Sequence, residues 1–159
     1  MQEKILKLLE ENARLSNRQI AVMLDMTEDA VAAAIAEYEK NGVIKGYQAV
    51  VDWDSSAPGH VTAMIELKVA PRRDSGFDEL AHRVMEYEEV ESVYLMSGGY
   101  DLLVCVHGSS LQVVAMFVAK RLSTLDGVLS TATHFLLNKY KENGFDLTGK
   151  QKDKRSMIL

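Results

Sequence analysis

Val93–Gly108 reads VYLMSGGYDLLVCVHG, and the fold turns on how this stretch is taken. Tyr94, Met96, Leu103 and Cys105 alternate with Val93, Leu95, Leu102 and Val104 on either side of Gly98-Gly99. Two apolar runs joined across a Gly-Gly signal predict a β-hairpin. A glycine pair reaches φ > 0 at no steric cost and leaves its N–H groups unshielded, and Asp101 sets a carboxylate acceptor beside them. Two readings follow. Exposed donors next to one acceptor suit a ligand carrying both a carboxylate and an ammonium group, whereas an Asp after a turn also serves simply to cap that turn.

Working outward, residues 60–70 alternate, with Val61, Ala63, Ile65, Leu67 and Val69 on one face, and predict a strand. Phe77, Leu80, Ala81 and Val84 follow at helical spacing. After the hairpin, Ser109-Ser110-Leu111-Gln112 makes a Ser-x-x-Gln box and starts a second helix with Leu111, Val114, Ala115, Val118 and Leu122 as its buried stripe. Gly127 closes that helix, and residues 129–140 predict a last strand. The order β-α-β-β-α-β is that of a ferredoxin-like split βαβ sandwich. Both helices then cover one face of the sheet and leave the other bare. Because both faces of the hairpin are apolar, the bare one calls for a partner, most simply a second copy related by a two-fold axis.

The first fifty residues are helical. Ile5, Leu6, Leu8 and Leu9 share one face of a first helix. Ser16-Asn17-Arg18-Gln19 is a capping box, with Leu15 placed to staple onto Ile20. A tight turn at Asp25-Met26-Thr27 leads to a third helix capped by Thr27, its stripe formed by Val31, Ile35 and Tyr38 and its end marked by Gly42. Residues 43–51 read as an extended wing. Two capped helices across a short turn, with a helix before and a wing after, predict a winged helix-turn-helix. The Ser/Pro/Gly-rich WDSSAPG sets the boundaries: 1–53 a helix-turn-helix domain, 54–60 a linker, 61–141 a ferredoxin-like domain, and 142–159 a polar tail. The fold class is therefore α+β.

Composition narrows the function. The chain has 159 residues, no apolar run long enough for a membrane span, and a charged start at Met1 unlike a signal peptide. One cysteine, Cys105, allows no disulfide within the chain, which suits a reducing cytoplasm. A net charge of −5 is not that of a protein that coats nucleic acid, although it leaves room for a local contact.

Glu39-Lys40-Asn41-Gly42-Val43-Ile44-Lys45-Gly46-Tyr47, followed by a βαββαβ domain carrying Ser97-Gly98-Gly99-Tyr100-Asp101, resembles the leucine-responsive/asparagine-operon regulator (Lrp/AsnC) family. The resemblance runs from about Gln2 to Lys141 and implies a cytoplasmic transcriptional regulator that binds double-stranded DNA, dimeric and often octameric. It implies no cofactor but a small-molecule effector, usually an amino acid, bound between subunits. Carried over by position, the ligand residues are Ser97, Gly98, Gly99, Tyr100 and Asp101, with Thr131 and Thr133 from a threonine-bearing last strand. On the helix-turn-helix, the residues placed toward DNA are Ser16, Asn17, Arg18, Thr27, Glu28, Asp29, Ala32, Ala33 and Lys45.

The third helix departs from the family. It carries no basic residue before Lys40, and alanines stand where the family usually has arginines. Residues 1–53 hold six Lys and Arg against nine Asp and Glu, opposite to the usual nucleic-acid footprint. Glu28 and Asp29 favour the helix's own N-terminus but face phosphates unfavourably. A second reading follows: a ligand-binding assembly protein whose helix-turn-helix no longer reads DNA. A third, enzymatic reading comes from siroheme decarboxylases of similar plan; His107 and His134 lie in strands, but no arginine-rich pocket accompanies them. His60, His82, His107 and His134 show no metal-ligand spacing, so no metal site and no catalytic set is expected.

Overall fold

A computed structural model describes residues 2–56, 59–70 and 76–148. The chain divides between Val51 and Asp52 into two units, the second running to Tyr140.

In the first unit, α1 (Gln2–Glu11), α2 (Asn17–Leu24) and α3 (Glu28–Lys40) surround a core of Ile5, Leu9, Ile20, Ala21 and Val31. Local signals set each boundary. Ser16 Oγ accepts from the Gln19 N–H, while the Gln19 side chain accepts from the Ser16 N–H, which completes the capping box. Asp25 ends α2 in the left-handed region at φ 53°, a conformation Asp tolerates better than most residues. Thr27 then caps α3, and Gly42, at φ 66°, follows its last turn. Leu15, the predicted staple, packs on this core, and so does Met26 from the turn before α3. Residues 43–51 join no strand ladder among the described residues, so the wing is an arm with no hairpin of its own.

The second unit opens with α4 (Trp53–Ser56), where the sequence suggested only linker, and continues β1 (Val61–Val69), α5 (Asp78–Met85), β2 (Val90–Leu95), β3 (Leu102–Gly108), α6 (Leu111–Phe117) and β4 (Val128–Phe135). The sheet order is β2-β3-β1-β4 with antiparallel neighbours, the split βαβ arrangement. Ala63, Ile65, Leu67 and Val69 of β1 face the helices together with Leu102, Val104 and Val106 of β3. Leu80 and Val84 of α5, and Val114, Phe117, Val118 and Leu122 from α6 onward, close over them. The opposite face presents Met64, Glu66 and Lys68 of β1, Leu103, Cys105 and His107 of β3, and Tyr94 of β2. It is not wholly bare: Trp53 stacks on His60 and His60 on His107, with ring centroids 5.8 and 5.7 Å apart, so the segment before β1 covers one end.

Four expectations need correction. The hairpin turns through six residues, 96–101, and neither Gly98 nor Gly99 has positive φ, so the left-handed turn is absent. Leu111 is 55% exposed and Ala115 also lies outside the core: the buried stripe is Val114, Phe117, Val118 and Leu122, and α6 passes into a π turn, Val118–Leu122, that brings Leu122 back into line with Val114. The last strand stops at Phe135: β1 offers Ala63 to Phe135 and the Thr62 carbonyl to the Leu136 N–H, then has no more ladder to give. Running from the last residue of the expected domain into the expected tail, Lys141–Glu142 and Phe145–Asp146 pair as a hairpin (β5, β6) across Asn143-Gly144, whose φ angles of 46° and 88° are both left-handed. The rest of the tail, 149–159, and Ala57-Pro58 of the linker lie outside the described residues.

Candidate DNA-binding and effector surfaces

The face of α3 expected to meet DNA is short-chained and acidic. Glu28, Asp29 and Ala33 are exposed and Ala32 half-buried; neither carboxylate pairs with a cation among the described residues. They sit at the positive end of the helix dipole, which stabilises both. Thr27 spends its hydroxyl on the Ala30 N–H, and Ser16 its own on the capping box, so what each cap presents to an anion is the backbone N–H groups it arranges. Arg18 is exposed on α2, and Asn17 is half-buried beside it. Lys45 folds back over the end of α3: a Cβ at Gly42 would lie 2.9 Å from Lys45 Nζ. In that pose it complements the negative end of the helix before it can reach a phosphate. Tyr47 Oη donates to Glu39 Oε1 at 2.9 Å and ties the arm to the same helix end. Desolvation, and then the Glu39 carboxylate, push the Tyr47 hydroxyl above its ordinary range, so this bond is intact at neutral pH. Nothing in the sequence marked the pair beyond the motif that contains both residues.

The loop Ser97–Asp101 sits where β2 passes to β3. Ser97, Gly98 and Gly99 are exposed, Tyr100 and Asp101 half-buried. Added Cβ atoms at Gly98 or Gly99 would meet nothing within 4 Å, and no hydrogen bond engages the N–H groups of residues 97–100 among the described residues. Asp101 holds the loop down. Its N–H donates to the Leu67 carbonyl at 2.9 Å, its carbonyl accepts from Met96 N–H at 2.8 Å, and its carboxylate Oδ2 accepts from the Val69 N–H at 2.8 Å. The Asp therefore clamps its loop to the end of β1 rather than capping its own turn, and one carboxylate oxygen is left for anything else.

Thr131 and Thr133 of β4 lie opposite Leu67 and Ile65, on the helix-covered side at the sheet's edge. Leu102, Leu67 and Thr131 form one row, so the loop and Thr131 share an end of the sheet but stand two strand spacings apart, about 10 Å. Thr131 Oγ1 meets Ser123 Oγ at 3.3 Å, a partner the sequence did not suggest. On the open face, His134 Nε2 lies 3.3 Å from Glu66 Oε1. Cys105 is buried against the Glu91 carboxylate at 3.6 Å. Among the described residues no three His, Cys, Asp or Glu side chains are grouped so as to hold a metal ion, and no helix is long and apolar enough to cross a membrane.

Known proteins share both units. Residues 62–144, more than half the chain, match the Lrp/AsnC ligand binding domain, and residues 1–45 match a winged helix-turn-helix DNA-binding domain. The uncharacterized HTH-type transcriptional regulator YugG of Bacillus subtilis is 48% identical over 157 residues, covering 98% of this chain and 94% of that protein. The proline dehydrogenase transcriptional activator of Rhizobium radiobacter is 26% identical, covering 89% of this chain and 90% of its own. Among solved structures, a transcriptional regulator of Neisseria meningitidis in complex with L-methionine superposes with a TM-score of 0.73 at 24% identity, over 92% of this chain and 95% of the other. At that identity the likeness speaks for the fold. The E. coli AsnC structure superposes with a TM-score of 0.69 at 19% identity, over 89% and 93% of the two chains. With one family matching each unit in chain order and a regulator 48% identical across nearly the whole length, the chain belongs to the Lrp/AsnC family: a transcriptional regulator with a helix-turn-helix DNA-binding domain and a ligand-binding domain.

Proposed function

We propose that this regulator senses an amino acid at the Ser97–Asp101 loop, in an assembly formed through the open face of its sheet. One observation carries the reading: a rigidly clamped loop offers free N–H donors with no side chain over them, beside the uncommitted oxygen of a carboxylate. Donors that cluster without shielding suit a carboxylate, and the remaining Asp101 oxygen suits an ammonium group. The L-methionine bound by the Neisseria regulator supports the same class of ligand. Thr131 and Thr133 complete the site from the last strand. DNA contact then rests on Arg18, on the capped N-termini at Ser16-Asn17 and Thr27, and on the Glu28, Asp29, Ala32 and Ala33 face, with Lys45 contributing once it leaves Gly42.

The glycines make the test. Neither Gly98 nor Gly99 needs a left-handed backbone, and neither Cβ position is obstructed, so the isolated fold accepts alanine at both. Gly99→Ala should leave the melting temperature equal or slightly higher, since alanine restricts the unfolded chain by about 0.4–1 kcal/mol. Calorimetric titration with the twenty amino acids should nevertheless show binding by the wild type and a loss of at least tenfold in Gly99→Ala, because a ligand approaching the N–H groups meets the new methyl. Equal binding by both proteins would remove the loop from the site.

A further inference from the structure

Helix α6 does not finish as an α-helix. Val118–Leu122 is a π turn, with the Ser123 N–H donating to the Val118 carbonyl at 2.8 Å. An α-helix advances about 100° per residue, so an unbroken helix would carry Leu122 about 80° round from Val114. The extra residue of the π turn returns it to within about 20° of Val114, where it is fully buried, and rotates Ser123 by the same amount. The distortion is held in place from several sides. The Arg121 guanidinium sits 5.1 Å over the Tyr87 ring and 3.3 Å from Glu89 Oε1, while Thr124 Oγ1 donates to the Lys120 and Arg121 carbonyls at 2.9 and 3.2 Å. Single π turns recur at functional sites because they re-aim one side chain without ending the helix.

The side chain re-aimed here is Ser123, whose hydroxyl lies 3.3 Å from that of Thr131. In a hydroxyl pair one O–H is spent on the other group, and the second O–H stays free together with unused lone pairs. Thr133 follows on the same face of an edge strand. We propose that Ser123 belongs to the effector site as the partner of Thr131, and that the pair selects an amino acid whose own side chain forms hydrogen bonds. This rests on the reading of the effector as an amino acid held by the loop and Thr131. An aliphatic side chain laid on the pair strips water from two hydroxyls and returns nothing, whereas an amide or hydroxyl side chain replaces those bonds. Sites built to hydrogen-bond a substrate reject analogues that lack the group.

The experiment is calorimetric titration with the twenty amino acids of the wild type, Ser123→Ala, Ser123→Thr, Thr131→Val and the double variant Ser123→Ala/Thr131→Val, each with its melting temperature. The wild type should prefer side chains such as those of Asn, Gln, Ser or Thr over those of Leu, Ile and Val. Ser123→Ala should weaken the preferred ligand about three- to tenfold, the loss expected for one neutral hydrogen bond, with an unchanged melting temperature and a gain in affinity for aliphatic ligands, which then desolvate one hydroxyl fewer. Ser123→Thr should bind like the wild type, and the double variant should lose less than the product of the single losses. Unchanged binding by Ser123→Ala, a preference for aliphatic ligands, or a melting temperature that falls while affinity holds would each overturn the proposal and leave the amino-acid reading standing. A wild type that binds no amino acid would overturn both.

Discussion

The proposed function gives Asp101 two tasks for one carboxylate, and they can be separated. Oδ2 satisfies the Val69 N–H; the other oxygen is the one assigned to the ligand's ammonium group. Asp101→Ala leaves that N–H without a partner in a half-buried place, which should cost about 1–3 kcal/mol and lower the melting temperature along with affinity. Asp101→Asn keeps an amide oxygen for Val69 and removes only the charge. We expect it to melt near the wild type yet bind amino acids more than tenfold more weakly, since a charged hydrogen bond to ammonium is lost; normal binding by Asp101→Asn in calorimetry would confine Asp101 to the clamp. At this scale the sequence was legible by residue type and not by partner. An acceptor beside two glycines stood out, but Val69 is 32 residues away and no local pattern announces it. The glycines were misread for a related reason. Gly-Gly permits φ > 0 without requiring it, and the six-residue loop anchored to β1 does not use that freedom.

The elements follow the same division between local and distant causes. The caps at Ser16 and Thr27 and the stop at Gly42 were legible because each is settled within four residues. The π turn in α6 was not, because an α-period stripe through Leu111, Val114, Ala115, Val118 and Leu122 exists in the sequence, and only packing against the sheet selects the other register. The β5–β6 hairpin did have its signal, Asn143-Gly144, hidden in a segment whose polarity suggested a tail. For α3, the helix on which the family resemblance places DNA contact, the acidic charge was legible in the sequence, and among the described residues Glu28 and Asp29 pair with no cation. Nonspecific DNA affinity comes from phosphate neutralisation, and this helix offers carboxylates instead. Replacing both Glu28 and Asp29 with lysine should raise affinity for random duplex several-fold at low salt, in a fluorescence anisotropy titration, and the gain should shrink as salt is added. It should also cost about 0.3–1 kcal/mol per site in stability as the helix dipole loses its favourable charges. No gain in affinity would mean that this face of α3 does not meet the duplex.

For the whole chain, the order of elements decided the fold before any contact was known, because a βαββαβ chain places both helices on one side of its sheet. The open side carries Met64, Leu103 and Tyr94, the last 53% exposed, around the Glu66–His134 pair. At about 25 cal/mol per Å², a standard interface of about 800 Å² per partner favours association well before entropy costs are met. We expect sedimentation at micromolar concentration to show at least a dimer, and Leu103→Glu to shift it toward monomer; a wild-type monomer would leave the open face unexplained. The central claim, that a protein with an acidic recognition helix still regulates by binding DNA, has a direct test in sequencing the DNA fragments cross-linked to the tagged protein in its own cells. The account predicts a limited set of discrete sites whose shared motif is two-fold related, as a symmetric dimer requires. Recovery of fragments at background level across the genome would contradict it and favour an assembly protein that keeps the helix-turn-helix fold without its duplex.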